Sequence, residues 1–319
     1  MKKNWKKVLL LGLLTVLTVG TLAACGSTGL DSGSSGSSAK TSKKASKDLK
    51  VGVSLSTLSN PFFVQVRSGI STLAKSKGTN IQVSDAQNDT AKQNNDIEDL
   101  IQKKVDVLII NPVDSSAITP AVKDANEAGI PVIAVDRSSD GGKVLTLVAS
   151  NSTKGGEMAA DYMIKKLGQN AKVAELQGIP GASATRERQK GFDNAVKGKL
   201  DLVTKQTAGF DRAKGLTTTE NILQAHPDIV GIFSQNDEMA LGAIQAVKAS
   251  GKKITIVGFD GEAGAIKAIK AGTMSATVAQ QPEKMGRLAL QAAFDHFDGK
   301  KVKTNIESPL QLVTSDNVK

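Results

Sequence analysis

The stretch Leu49-Lys50-Val51-Gly52-Val53-Ser54-Leu55-Ser56-Thr57-Leu58-Ser59-Asn60-Pro61-Phe62-Phe63 decides how the chain folds. Its first seven residues alternate and are rich in β-branched side chains, which predicts a strand. Beyond it, Val64, Val66, Ile70, Leu73 and Ala74 recur at helical spacing through Lys77, and Gly78 ends the pattern. Asn60 before Pro61 fits an N-cap, because the cap accepts a free N–H and proline in the first helical position has none to offer. The polar loop thus delivers Phe62 and Phe63 to the carboxyl end of a strand, where open α/β sheets bind ligands.

The same unit recurs outward from that stretch. Strands are predicted at 80–84, 105–110, 131–135 and 144–149, and helices at 90–103, 115–128 and 155–167, the last capped by Asn151. The second half repeats the scheme, with strands at 172–176, 202–206, 229–233, 254–257, 275–279 and 310–313 and helices at 184–197, 212–225, 238–249, 264–271 and 285–297. Alternation at this period means βαβ units and parallel sheets. Two such blocks, 49–150 and 151–280, exceed what one sheet usually holds, so the fold class is α/β with two similar parallel-sheet lobes. Residues after 280 are then shared between the lobes. Asn111-Pro112, Asp136-Arg137, Asn236, Phe259-Asp260 and Gln280 all follow strands, so one sheet edge can gather them at a cleft.

Composition narrows the function classes. The 319 residues carry a formal charge of +10. Lys2, Lys3, Lys6 and Lys7 supply four of those charges, and Lys40, Lys43, Lys44 and Lys47 against Asp31 a net three more, which leaves +3 for residues 48–319. No basic face remains on which nucleic acid could bind. Phosphate-cradle and dinucleotide fingerprints are absent from the sequence, and His226 and His296 lack a plausible nucleophile partner, so nothing points to an enzyme, a cofactor or a metal.

The single cysteine is informative by position. Residues 2–7 are basic, 8–19 apolar, and Leu22-Ala23-Ala24-Cys25 ends on small residues before the thiol. That arrangement resembles a bacterial lipoprotein leader, which implies removal of 1–24 and a lipid on Cys25. Residues 25–48 are then a Ser/Gly/Lys tether, too poor in apolar residues to fold alone.

The runs 56–63, Ile110-Asn111-Pro112, Val135-Asp136-Arg137, Glu175-Leu176-Gln177-Gly178, Arg186-Glu187-Arg188, Phe210-Asp211-Arg212, 235–242 and 257–261 resemble, in order, the type I periplasmic sugar-binding family. The resemblance spans nearly all of 49–313. It implies lobes of 49–150 with 281–309 and of 151–280 with 310–319, joined by a three-strand hinge. It places ligand contacts on Ser56, Asn60, Phe62, Phe63, Asn111, Asp136, Arg137, Asn151, Arg188, Phe210, Asn236, Phe259, Asp260 and Gln280. It further implies a monomer on the extracytoplasmic face of the cell membrane that hands a small sugar, ribose first and allose next, to an ABC import permease. The residue types suit a sugar, since aromatic rings cover C–H faces while carboxylates, guanidinia and amides address hydroxyls. Two Asp and two Arg sum to zero charge, which fits an uncharged polyol. A sugar-responsive repressor core is the alternative, but it needs a helix-turn-helix where this chain has a leader and tether.

Overall fold

The computed structural model describes residues 43–318. Cys25, the leader and most of the tether lie outside the described residues. The strands in chain order are β1 (Lys50–Leu55), β2 (Asn80–Asp85), β3 (Val107–Ile110), β4 (Val132–Val135), β5 (Thr146–Ser150), β6 (Lys172–Gln177), β7 (Asp201–Thr207), β8 (Gly231–Ser234), β9 (Thr255–Asp260), β10 (Ala276–Ala279), β11 (Asn305–Ser308) and β12 (Gln311–Thr314). The helices are α1 (Pro61–Lys77), α2 (Thr90–Gln102), α3 (Thr119–Glu127), α4 (Ser152–Leu167), α5 (Ser183–Val196), α6 (Arg212–Ala225), α7 (Asp237–Ser250), α8 (Ala263–Lys270) and α9 (Pro282–Phe297).

These elements form two six-stranded sheets of the same order, β2-β1-β3-β4-β5-β11 and β7-β6-β8-β9-β10-β12. All neighbours are parallel except β10 and β12. A parallel sheet needs helices on both faces, which explains the unbroken apolar runs of its inner strands. Val107 to Ile110 and Val132 to Val135 are buried at every position. In the first lobe one core packs α1 and α9 onto β1, β3 and β4, with Val53, Ile109 and Ile133 at its centre. A second core on the opposite face holds Leu108, Ile110 and Ala134 against α2 and α3. The second lobe has the same two layers.

The chain passes from sheet to sheet three times, between Ser150 and Ser152, between Ala279 and Pro282, and between Ser308 and Gln311. The outcome is two parallel-sheet α/β lobes joined by a three-strand hinge. Caps fall where side-chain chemistry puts them. Asn60 accepts from Phe62 N at 2.8 Å, Asn151 from Lys154 N at 2.9 Å and Asn236 from Met239 N at 2.9 Å.

Three elements differ from the sequence reading. Helix 115–128 begins only at Thr119, because Asp114 accepts from Ser116 N and Ala117 N and makes a turn first. Strand β11 was not foreseen. The end of the tether is also docked, since Ser46–Asp48 forms a 3-10 turn, Lys44 pairs with Asp106 at 2.7 Å and Thr79 Oγ1 donates to Ser46 O.

Candidate functional site

The carboxyl edges of the two sheets face one another across a narrow cleft. Asn60, Phe62, Phe63, Asp136 and Arg137 line it from the first lobe, and Ala184, Arg188, Phe210, Asn236 and Asp260 from the second.

Each lining residue is held by the element that ends or begins beside it. Phe62 and Phe63 occupy the first turn of α1, both buried, and meet edge to face with centroids 5.2 Å apart. Asp136 follows β4 at φ 64°, Phe210 follows β7 at φ 61°, and Asp260 ends β9 at φ 123°. Left-handed backbone costs free energy in residues with a Cβ and persists only where the surroundings enforce it. Here it turns three polar or aromatic side chains into the cleft.

The two guanidinia are anchored by one nitrogen each. Arg137 Nη1 donates to Pro112 O at 3.0 Å, and Arg188 Nη1 donates to Gln235 O at 2.6 Å. Arg188 lies 3.8 Å over the Phe259 ring, and Arg137 lies 5.1 Å from the rings of both Phe63 and Phe210. Nε of each arginine is buried and makes no hydrogen bond within the protein, which leaves each guanidinium with donor capacity to spare. The carboxylates answer them. Asp136 Oδ2 sits 3.7 Å from Arg137 Nε, and Asp260 Oδ1 sits 3.9 Å from Arg188 Nη2. Burial pushes Asp260 up to about 7, and Arg188 and Gln280 oppose the rise. Burial also raises Asp136, against the pull of Arg188 and Arg137, and it lowers Arg137 to about 10.

The remaining candidates lie off the lining. Asn111 is fully buried, donating to Val135 O at 2.9 Å and accepting from Ser56 N at 3.4 Å, so it braces the strand ends beside Asp136. Ser56 is buried with it, its Oγ unpartnered. Gln280 donates to Asp260 Oδ1 at 2.8 Å and orients that carboxylate. Phe259 points into the core as the platform under Arg188, because alternate residues of a strand face opposite ways and Asp260 takes the cleft side. Asn151 is an exposed helix cap at the first sheet crossing. Ala184 was missed, although it stands one helical turn before Arg188 and so shares its face.

The periplasmic binding protein domain matches residues 51–301. The chain belongs to the periplasmic binding protein family. Among members of that family, it is similar to the ribose import binding protein of Bacillus subtilis strain 168, 58% identical over 268 residues that cover 84% of this chain and 88% of the relative. It is also similar to the crystal structure of the Caulobacter myo-inositol binding protein bound to myo-inositol, with TM-score 0.81 and 36% identity over 86% of this chain and 96% of the other. A third likeness is to a periplasmic ribose ABC transporter structure from Conexibacter woesei, with TM-score 0.76 and 29% identity over 86% and 95%.

As in other doubly wound folds, the cleft of this periplasmic binding protein sits at the carboxyl edges of its sheets. Its lips also touch directly. Ser115 N donates to Gly181 O at 3.0 Å, Ser183 N to Ser115 Oγ at 3.1 Å, Ser138 N to Ser183 Oγ at 2.9 Å, and Arg186 pairs with Asp140 at 2.7 Å. Among the described residues no helix is long and apolar enough to cross a membrane.

Proposed function

We propose that this chain captures ribose, or a closely related small aldose, in the interlobe cleft and delivers it to an ABC import permease. The observation that carries the reading is the pair of buried guanidinia of Arg137 and Arg188 set beside the carboxylates of Asp136 and Asp260 and among aromatic rings. Such a site offers charge-assisted bonds to hydroxyls that both donate and accept, and its balanced charge gives no advantage to an anion. The 58% identity to a protein named for ribose import supports ribose as the first sugar to test.

In this reading Asn60, Phe62, Phe63, Asp136, Arg137, Arg188, Phe210, Asn236 and Asp260 touch the sugar, while Ser56, Asn111, Asn151, Phe259 and Gln280 support them. The lobes are 49–150 with 281–309 and 151–280 with 310–319. A lipid on Cys25 holds the monomer at the extracytoplasmic face of the membrane, and no step of chemistry is performed on the sugar. Contacts from both lobes favour closure, because the closed form gains bonds that the open form lacks.

Titration calorimetry of residues 26–319 against ribose, allose, galactose and glucose tests the ligand. Ribose should bind tightest, and absence of heat with every aldose would overturn the proposal. Recovery of the native chain in membranes with a lipid on Cys25 tests the anchor, and a soluble, unmodified protein would exclude it.

A further inference from the structure

Strand β6 carries a carboxyl group for which the sugar contacts give no use. Glu175 is fully buried, its Oε1 accepts from Gln235 Nε2 at 2.7 Å, and its Oε2 has no partner in the protein. Burial pushes it up to about 7, with the Gln235 amide opposing, Asp193 adding to the rise and Lys205 and Gln177 opposing. A buried carboxyl in a sheet costs free energy that an apolar residue of the same size would not.

Gln235 explains what it does. Its Oε1 accepts from Gly178 N at 3.0 Å, its Nε2 donates also to Thr185 O at 3.2 Å, and its own carbonyl receives Arg188 Nη1 at 2.6 Å. One side-chain amide therefore joins β6, the loop after it and the first turn of α5, while the backbone carbonyl of the same residue holds the arginine of the cleft. Both second-lobe walls depend on it. A Cβ on Gly178 would collide with the Phe210 ring, so that loop sets where the ring stands. Arg188, held by Nη1, keeps Nη2 3.9 Å from Asp260 at the cleft.

The amide works in only one orientation. Turned over, its oxygen would face the Glu175 carboxyl and Thr185 O, and its NH₂ would face Gly178 N–H. With Glu175 Oε1 and Thr185 O both accepting from Nε2 and Gly178 N–H donating to Oε1, the flip would set oxygen against oxygen and N–H against N–H. We propose that Glu175 is a positioning residue for the sugar site, locking the Gln235 amide that ties the loop beneath Phe210 to the first turn of α5, the helix that carries Arg188. This rests on the reading of Arg188 and Phe210 as sugar contacts.

The test uses E175A, E175Q, Q235A and E175A/Q235A in the full chain, with ribose titrations and the Arg188 Nε–H resonance of the ligand-free protein. E175A and Q235A should each weaken ribose binding about tenfold, and the double variant should bind no worse than Q235A, because both act along one chain of contacts. E175Q, which keeps an acceptor, should recover most of the loss. In E175A the Arg188 Nε–H signal should shift or broaden before any sugar is added. An unmoved signal, or losses that multiply in the double variant, would overturn the proposal. A moved signal in a chain that binds no ribose would support the positioning role and sink the sugar reading instead.

Discussion

Asp260 carries more of the site's behaviour than its size suggests. Its backbone is held at φ 123°, Gln280 pins one oxygen, and burial lifts its carboxyl to about 7. A folded-state value above the ordinary 3.8 means that its contribution to ligand-free stability is full below about 3.8 and is lost as pH rises through about 7. Sugar hydroxyls donate to the ionised form, so ribose should bind more weakly as pH falls below about 7 and should release protons near neutrality. Calorimetry at pH 7 in buffers of different ionisation enthalpy reads this directly, and an apparent enthalpy independent of buffer would contradict it. Asp136→Ala and Arg188→Ala should each lose at least tenfold in ribose affinity, about 1.4 kcal/mol or more for a buried charged hydrogen bond. Unchanged binding in both would refute the site.

The helices meet through glycines. Gly69 of α1 lies against Glu283 O of α9 while Gly286 lies against Val66 O, and Gly156 of α4 lies against Arg188 O while Gly191 of α5 lies against Thr153 O. Gly215 and Gly242 do the same for α6 and α7. Backbones this close leave no space for a methyl group. Gly286→Ala should push α9 off α1 and destabilise the protein by about 1–3 kcal/mol, read as a lower denaturation midpoint. An unchanged midpoint would show that the helices can part freely. The pair at α4 and α5 bears on function as well, because Arg188 belongs to that crossing.

Between the lobes, the lips of the cleft are joined by Ser115, Ser138 and Ser183 and by the Arg186–Asp140 pair. The ion pair is over a third exposed on both sides, so solvent screens it to about 0–1 kcal/mol. The serine bonds are better sheltered and should set how long the cleft stays shut. Ser183→Ala should raise the ribose dissociation rate about threefold to tenfold with little change in melting temperature, since it removes a bond made only on closure. Stopped-flow displacement measures it, and an unaltered rate would show that the lip does not control release.

The alternation of strands and helices, the caps at Asn60 and Asn151 and the candidates at the strand ends were legible in the sequence alone. These follow from hydrophobic period and local hydrogen bonding, which neighbours along the chain settle. Strand β11 escaped because Asn305–Ser308 has one apolar residue and earns its place by pairing with β5, far away in sequence. The tertiary structure alone decided which candidates meet. Phe259 and Asp260 adjoin in sequence and face opposite ways, while Glu175, Gln235 and Arg188 are distant in sequence and share one hydrogen-bonded chain. Only packing brings Ser115 to Ser183 and sets two arginines into a cleft lined by Phe62 and Phe63, because such contacts depend on how two sheets face each other and no local pattern encodes that.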